Sequence, residues 1–122
     1  MRILIIDDSL AMRNMLMRFC QDMGATCVTA EDGQDAVEKM ASEPAFDAAL
    51  VDWDMPRMTG IEFIRHVRAL PRWAELKLLV VTAHIGHADV VEALGAGAND
   101  YLMKPISLEM LEDKLRILGL VA

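Results

Sequence analysis

Two kinds of apolar pattern alternate along the chain. Ile3-Leu4-Ile5-Ile6 is an unbroken apolar run closed by Asp7-Asp8, and a run so short and continuous reads as a strand buried on both faces. The next apolar residues, Met12, Met15, Leu16, Phe19, Cys20 and Met23, recur at helical spacing and share one face, while Arg13, Asn14, Arg18 and Asp22 point away. Ser9 is placed to cap this helix and Gly24 to stop it. The alternation then repeats. A strand is expected over 26–30, a helix over 34–41 with Ala36, Val37, Met40 and Ala41 facing inward, and a third strand over 48–51 closed by Asp52. Thr59-Gly60-Ile61-Glu62 has the capping-box pattern and opens a third helix running to about residue 70. A fourth strand over 78–82 precedes a helix over 88–94 ended by Gly95 and Gly97. A fifth strand over 100–103 leads to a last helix, capped by Ser107, whose inner stripe is Leu108, Leu111, Leu115 and Leu118.

Five strand–helix units predict an α/β fold, a parallel sheet with helices on both faces. At 122 residues the chain fits one domain, 1–122, with no room for a catalytic domain beside a regulatory one. The linker-like stretch Pro71-Arg72-Trp73-Ala74 does not divide it. With 54% hydrophobic and 25% charged residues the chain is globular rather than disordered. The balance of 12 Lys+Arg against 19 Asp+Glu, with no basic run, argues against direct nucleic-acid binding and against polybasic membrane attachment. No apolar run approaches the ~20 residues of a membrane span, and Asp7-Asp8 breaks the N-terminal run too early for a signal peptide. Cys20 and Cys27 lie among apolar residues and read as two buried small hydrophobes, which suits a reducing cytoplasm.

In open parallel sheets the chemistry collects beyond the carboxyl ends of the strands. There the first strand delivers Asp7 and Asp8, the third Asp52, Trp53 and Asp54, the fourth Thr82, Ala83 and His84, and the fifth Lys104 and Pro105. The second delivers Glu31 and Asp32, which an edge strand would hold apart. Neighbouring strands lie ~4.8 Å apart, so adjacency of the first, third and fourth would make three carboxylates converge. Unit charges at ~4 Å repel by about 4 kcal/mol at an effective dielectric of 20. Lys104 alone is too little compensation, and a hard divalent cation, Mg²⁺ or Mn²⁺, completes the set. Such a cation with an ammonium and a hydroxyl makes a phosphoryl site. Neither G-x-x-x-x-G-K-[ST] nor G-x-G-x-x-G follows the first strand, so the phosphoryl group must come from something other than bound ATP. A carboxylate can accept it as an acyl phosphate, and Asp52 is central among the candidates. His66, His84 and His87, without Cys or paired carboxylate ligands nearby, read as surface residues.

Asp7-Asp8, Asp52-x-x-Met55-Pro56-x-x-x-Gly60, Thr82-Ala83 and Tyr101-x-x-Lys104-Pro105 occur in this order over the whole chain. In this the sequence resembles the CheY-like receiver domain of two-component response regulators. The resemblance implies a flavodoxin-like (βα)5 fold with strand order 2-1-3-4-5. It implies that Asp52 accepts a phosphoryl group from a histidine kinase, a histidine phosphotransfer protein or a small acyl phosphate. Asp8, Asp52 and the backbone carbonyl of Asp54 would hold Mg²⁺, with Asp7 acting mainly through a bound water. Lys104 would pair with Asp52 and then with the phosphoryl oxygens, Thr82 would move in to bond the phosphoryl group, and small Ala83 would leave access. Tyr101 would turn inward as the aromatic switch, and the Lys104–Pro105 peptide would be cis. The output surface would be the fourth helix, fifth strand and last helix, about residues 88–118, where a downstream protein binds. Asp54 and His84 occupy positions associated with the rate of phosphate loss, which predicts an atypical phosphoryl lifetime.

Two other readings fit less of the sequence. Asp52-x-Asp54 resembles the haloacid-dehalogenase nucleophile motif, but that motif follows a first strand, expects Thr or Val where Pro56 stands, and needs a longer chain. A receiver-like interaction module that works without phosphorylation would have lost the acid site, which is intact here. A flavodoxin-type cofactor would need a Ser/Thr/Gly-rich loop after the first strand. The expectation is therefore a signalling switch rather than a conventional enzyme, one that assists its own phosphorylation and dephosphorylation. It would be cytoplasmic and a monomer or weak phosphorylation-dependent dimer, and the compact ending 118–122 leans toward a stand-alone regulator.

Overall fold

A computed structural model describes residues 1–55, 57–83 and 86–121. The five apolar runs form the strands β1 (Arg2–Ile6), β2 (Thr26–Ala30), β3 (Ala48–Asp52), β4 (Lys77–Thr82) and β5 (Asp100–Met103). The helices are α1 (Leu10–Asp22), α2 (Gly33–Ser42), α3 (Gly60–Arg68), α4 (His87–Ala96) and α5 (Leu108–Ile117), with a 3₁₀ turn at Pro71–Trp73. All strands pair in parallel, in the order β2-β1-β3-β4-β5. This is the doubly wound, flavodoxin-like (βα)5 arrangement expected from the sequence.

Side chains alternate across the pleat, so each central strand feeds two cores. Leu4, Ile6, Ala49, Val51, Leu78 and Val80 meet α2, α3 and α4 through Ala36, Met40, Phe63, Ile64, Val67 and Ala93. Ile3, Ile5, Ala48, Leu50, Leu79 and Val81 meet α1 and α5 through Leu16, Cys20, Leu111 and Leu115. Every residue of β3 is buried, because it has a strand on each side and a helix layer on each face.

Local signals account for the helix starts. Ser9, Asp32, Thr59 and Ser107 each accept a backbone N–H from the first turn of their helix, and Thr59 and Glu62 close the reciprocal capping box. Some details differ from the sequence expectation. α3 ends at Arg68, and Leu70 is exposed, because the chain turns at Pro71 to bury Trp73 against Phe46. α4 runs through Gly95 and stops at Gly97, whose φ of 121° suits glycine and ends the helix. Ala41 is exposed rather than inward. On α1 only Leu16 and Cys20 are fully buried, the methionines and Phe19 being half-covered. Cys27 is half-buried, not buried, because β2 lies at the sheet edge. No helix among the described residues is long and apolar enough to cross a membrane.

Candidate functional site

The register of the sheet brings the first, third and fifth strand ends together. Ile6 lies opposite Val51 in the β1–β3 pair, Asp52 lies opposite Val81 in the β3–β4 pair, and Thr82 lies opposite Met103 in the β4–β5 pair. The residues that follow these positions therefore surround one crevice. Asp7, Asp8 and Asp52 each offer a carboxylate oxygen within 4.8 Å of the others. Asp7 is 1% exposed and Asp52 4% exposed, whereas Asp8 faces solvent.

Lys104 reaches across from the end of β5. Its Nζ lies 3.4 Å from Asp7 Oδ2 and 3.4 Å from Asp52 Oδ1, and its backbone N–H donates to Thr82 O at 2.8 Å. The Lys104–Pro105 peptide is cis. Asp7 is fixed from the other side: its Oδ1 accepts from the Ser9 N–H at 2.9 Å, and its carbonyl accepts from Arg13 Nη1 at 2.7 Å.

One ammonium for three carboxylates leaves the site short of positive charge. The Asp52 carboxyl is accordingly pushed up to about 6, first by burial and then by the neighbouring charge of Asp7, against the pull of Lys104 and the Asp54 backbone N–H. The Lys104 ammonium is held above its ordinary value by Asp52 and Asp7, which outweigh its own desolvation. An all-oxygen, partly open donor set with excess negative charge fits a hard divalent cation such as Mg²⁺.

Thr82 is buried at 1% exposed beside this cluster, and Ala83 after it is exposed. Asp54 is exposed, Trp53 is half-covered and Met55 is buried in the core. Tyr101 is half-buried, with the Lys114 ammonium 4.8 Å from its ring centroid and 2.9 Å from Asp100 Oδ1. A small apolar cavity under α4 separates Tyr101 from Thr82 and is lined also by Val80, Val90, Ala93 and Leu94. Pro56 and His84 lie outside the described residues, and His66 is exposed on α3.

Residues 3–116 match the response regulator receiver domain family. The chain belongs to that family. The receiver is 40% identical over 116 residues to the chemotaxis protein CheY of Pseudomonas aeruginosa, covering 94% of this chain and 93% of that one. It is 35% identical over 118 residues to chemotaxis protein CheY1 of Helicobacter pylori, covering 96% and 95%. Its fold superposes on the crystal structure of Vibrio cholerae chemotaxis protein CheY4 with a TM-score of 0.91 at 32% identity, covering 96% and 97% of the two chains. The receiver is thus a signalling switch of the two-component type, and a histidine kinase or phosphotransfer partner goes with that class.

Two contacts between separate elements were not legible as motifs. Arg57 pairs with Asp32, twenty-five residues away on another strand end, and Lys114 stacks over Tyr101 from α5. The sequence shows Asp32 only as a carboxylate after an edge strand, and no sequence signal points to Arg57.

Proposed function

We propose that Asp52 is the phosphoacceptor of a phosphorelay or chemotaxis-type switch, within a receiver unit spanning 1–122. The observation that carries the reading is the convergence of Asp7, Asp8 and Asp52 with Lys104 within reach of both buried carboxylates. An oxygen of the Asp52 carboxylate attacks phosphorus, and the P–N bond of a phosphohistidine, or the P–O bond of an acyl phosphate, breaks to its leaving group. Asp8, Asp52 and the Asp54 carbonyl would hold Mg²⁺ or Mn²⁺, with Asp7 acting mainly through water. The cation when bound supplies the positive charge that neutralises carboxylate and phosphoryl oxygens.

Lys104 then exchanges a carboxylate partner for phosphoryl oxygens, and the Thr82 hydroxyl bonds a third. The cavity between Thr82 and Tyr101 is where the Tyr101 ring would turn as Thr82 moves. Tyr101 belongs to β5, so the change reaches the α4–β5–α5 face, where a downstream protein reads it. Ala83 leaves the acceptor accessible, and Asp54 and His84 set an atypical phosphoryl lifetime. The working form is cytoplasmic, and a monomer or a weak phosphorylation-dependent dimer.

The test follows Trp53 fluorescence while Mg²⁺ and then a small acyl phosphate are added, with intact mass in parallel. The expected result is a Mg²⁺-dependent change and one added phosphoryl group, both absent in Asp52→Asn. The buried Trp73 gives a constant background. No fluorescence response and no mass gain, with either the acyl phosphate or a phosphohistidine donor, overturns the phosphoswitch in favour of a module that works by partner binding alone.

A further inference from the structure

The loop after the candidate acceptor is braced at a point remote from the acid cluster. Residue 57 is an arginine at φ 66°, the one non-glycine with positive φ among the described residues, and that conformation is unfavourable for a side chain with a Cβ. Its guanidinium pairs with Asp32, and the two side chains contrast sharply: Arg57 is 68% exposed and Asp32 only 2%. Asp32 is already committed as the N-cap of α2, accepting the Asp35 N–H at 2.8 Å. That bond, with help from Arg57, holds its carboxyl below the usual range despite burial.

The neighbouring residue repeats the attachment. A Cβ on Gly33 would lie 2.8–3.0 Å from Met58 side-chain atoms, so the first turn of α2 is open for Met58 to sit on it. At the other end of the loop a Cβ on Gly60 would lie 2.6 Å from the Asp52 carbonyl oxygen, and the Gly60 N–H donates to Trp53 O at 3.2 Å. The chain after Asp52 is therefore held at Gly60 by β3 and, through Arg57 and Met58, by the start of α2. Asp54, whose N–H faces the Asp52 carboxylate, lies within that stretch.

We infer that Arg57, through its pair with Asp32, is a positioning residue for the cation site. It fixes the backbone at Asp54 relative to Asp52, and the left-handed conformation at residue 57 is kept in place by the pair. The inference rests on the phosphoacceptor reading, because the Asp54 carbonyl is a cation ligand only within it.

The test uses the full chain and Mg²⁺ alone, read by Trp53 fluorescence, with amide hydrogen exchange at Asp54 in the cation-free protein as a second readout. Asp32→Asn keeps the helix cap, since Asn caps as well as Asp, and removes the charge. Arg57→Gln removes the other partner. Arg57→Gly removes it while relieving the backbone, so its folding stability is maintained. The expected result is Mg²⁺ affinity weakened about 3- to 10-fold in all three (about 0.7–1.4 kcal/mol by the tenfold rule). The Asp32→Asn/Arg57→Gln double variant would be no weaker than either single, Arg57→Lys would recover part of the affinity, and Asp54 exchange would be faster in each single variant. Wild-type affinity and unchanged Asp54 exchange in the variants, with only their stability altered, makes the pair structural and overturns the inference. A wild-type protein that does not bind Mg²⁺ at all overturns instead the reading beneath it.

Discussion

Neutralising Asp52 should stabilise the cation-free protein, and only above about pH 4. The folded-state carboxyl titrates at about 6 against an ordinary value of 3.8. The group therefore binds its proton more readily in the folded state than in the unfolded one. Stability falls as pH rises from near 4 to 6, and the full cost is present above 6. The gap corresponds to about 3 kcal/mol. Asp52→Asn retains an acceptor for Lys104 and for the Asp54 N–H, so most of the cost should be recovered. In EDTA at pH 8 the variant should gain about 1–3 kcal/mol in urea denaturation, or roughly 3–5 °C of Tm per kcal/mol. At pH 5 about half of that difference should remain, and only below about pH 4 should the two proteins be nearly equal. In Mg²⁺ at about 100 times its dissociation constant the wild type should recover about 3 kcal/mol and the variant far less. An Asp52→Asn protein no more stable than wild type in EDTA at pH 8, or one equally stabilised at about pH 3.5, would refute the electrostatic account of the site.

Lys104→Met removes the ammonium 3.4 Å from Asp7 and Asp52, so the Asp52 carboxyl should titrate above 6 in a carbon-detected NMR titration, and the cation-free protein should lose stability at pH 8. Gly60→Ala places a methyl group 2.6 Å from the Asp52 carbonyl, which the backbone cannot yield cheaply; urea denaturation should show a loss of about 1–3 kcal/mol, with a shift in Trp53 emission. Thr59→Ala breaks the capping box at the start of α3 and should cost about 1 kcal/mol without moving the Asp52 titration. Phe63→Ala empties a fully buried position under β3 and β4 and should cost about 3–5 kcal/mol by the same denaturation.

The strands were legible because each is an apolar run ended by a charged or polar residue that has to leave the sheet. Asp7, Asp52 and Thr82 are the same residues that stop the strands and build the crevice. The site was legible for that reason: parallel strands deliver whatever follows them to one end. Helix ends were less so. Gly95 looks like a stop, but a glycine in the right-handed region costs a helix only about 1 kcal/mol, and α4 ended two residues later, where φ had to turn positive. Ala41 fits a helical stripe by spacing and Leu70 a helix end, yet Ala41 is exposed, and the chain turns at Pro71 after Leu70 to bury Trp73.

What periodicity could not reach was the set of contacts that join one loop to another. Arg57 lies in no stripe and Asp32 caps the helix that follows an edge strand, and their pairing accompanies a left-handed φ that composition does not encode. The charge state of Asp52 was illegible for a related reason. Its neighbours could be named from strand order, but the sign of its shift depends on whether burial and Asp7 outweigh Lys104, and that is decided by distances and exposure. A receiver with the same motif residues and a looser loop after the acceptor would read identically as a sequence. On the role inferred for Arg57 it would hold its cation less well, and the pair between Arg57 and Asp32, rather than any residue of the motif, would then distinguish a site that is merely complete from one that is pre-arranged.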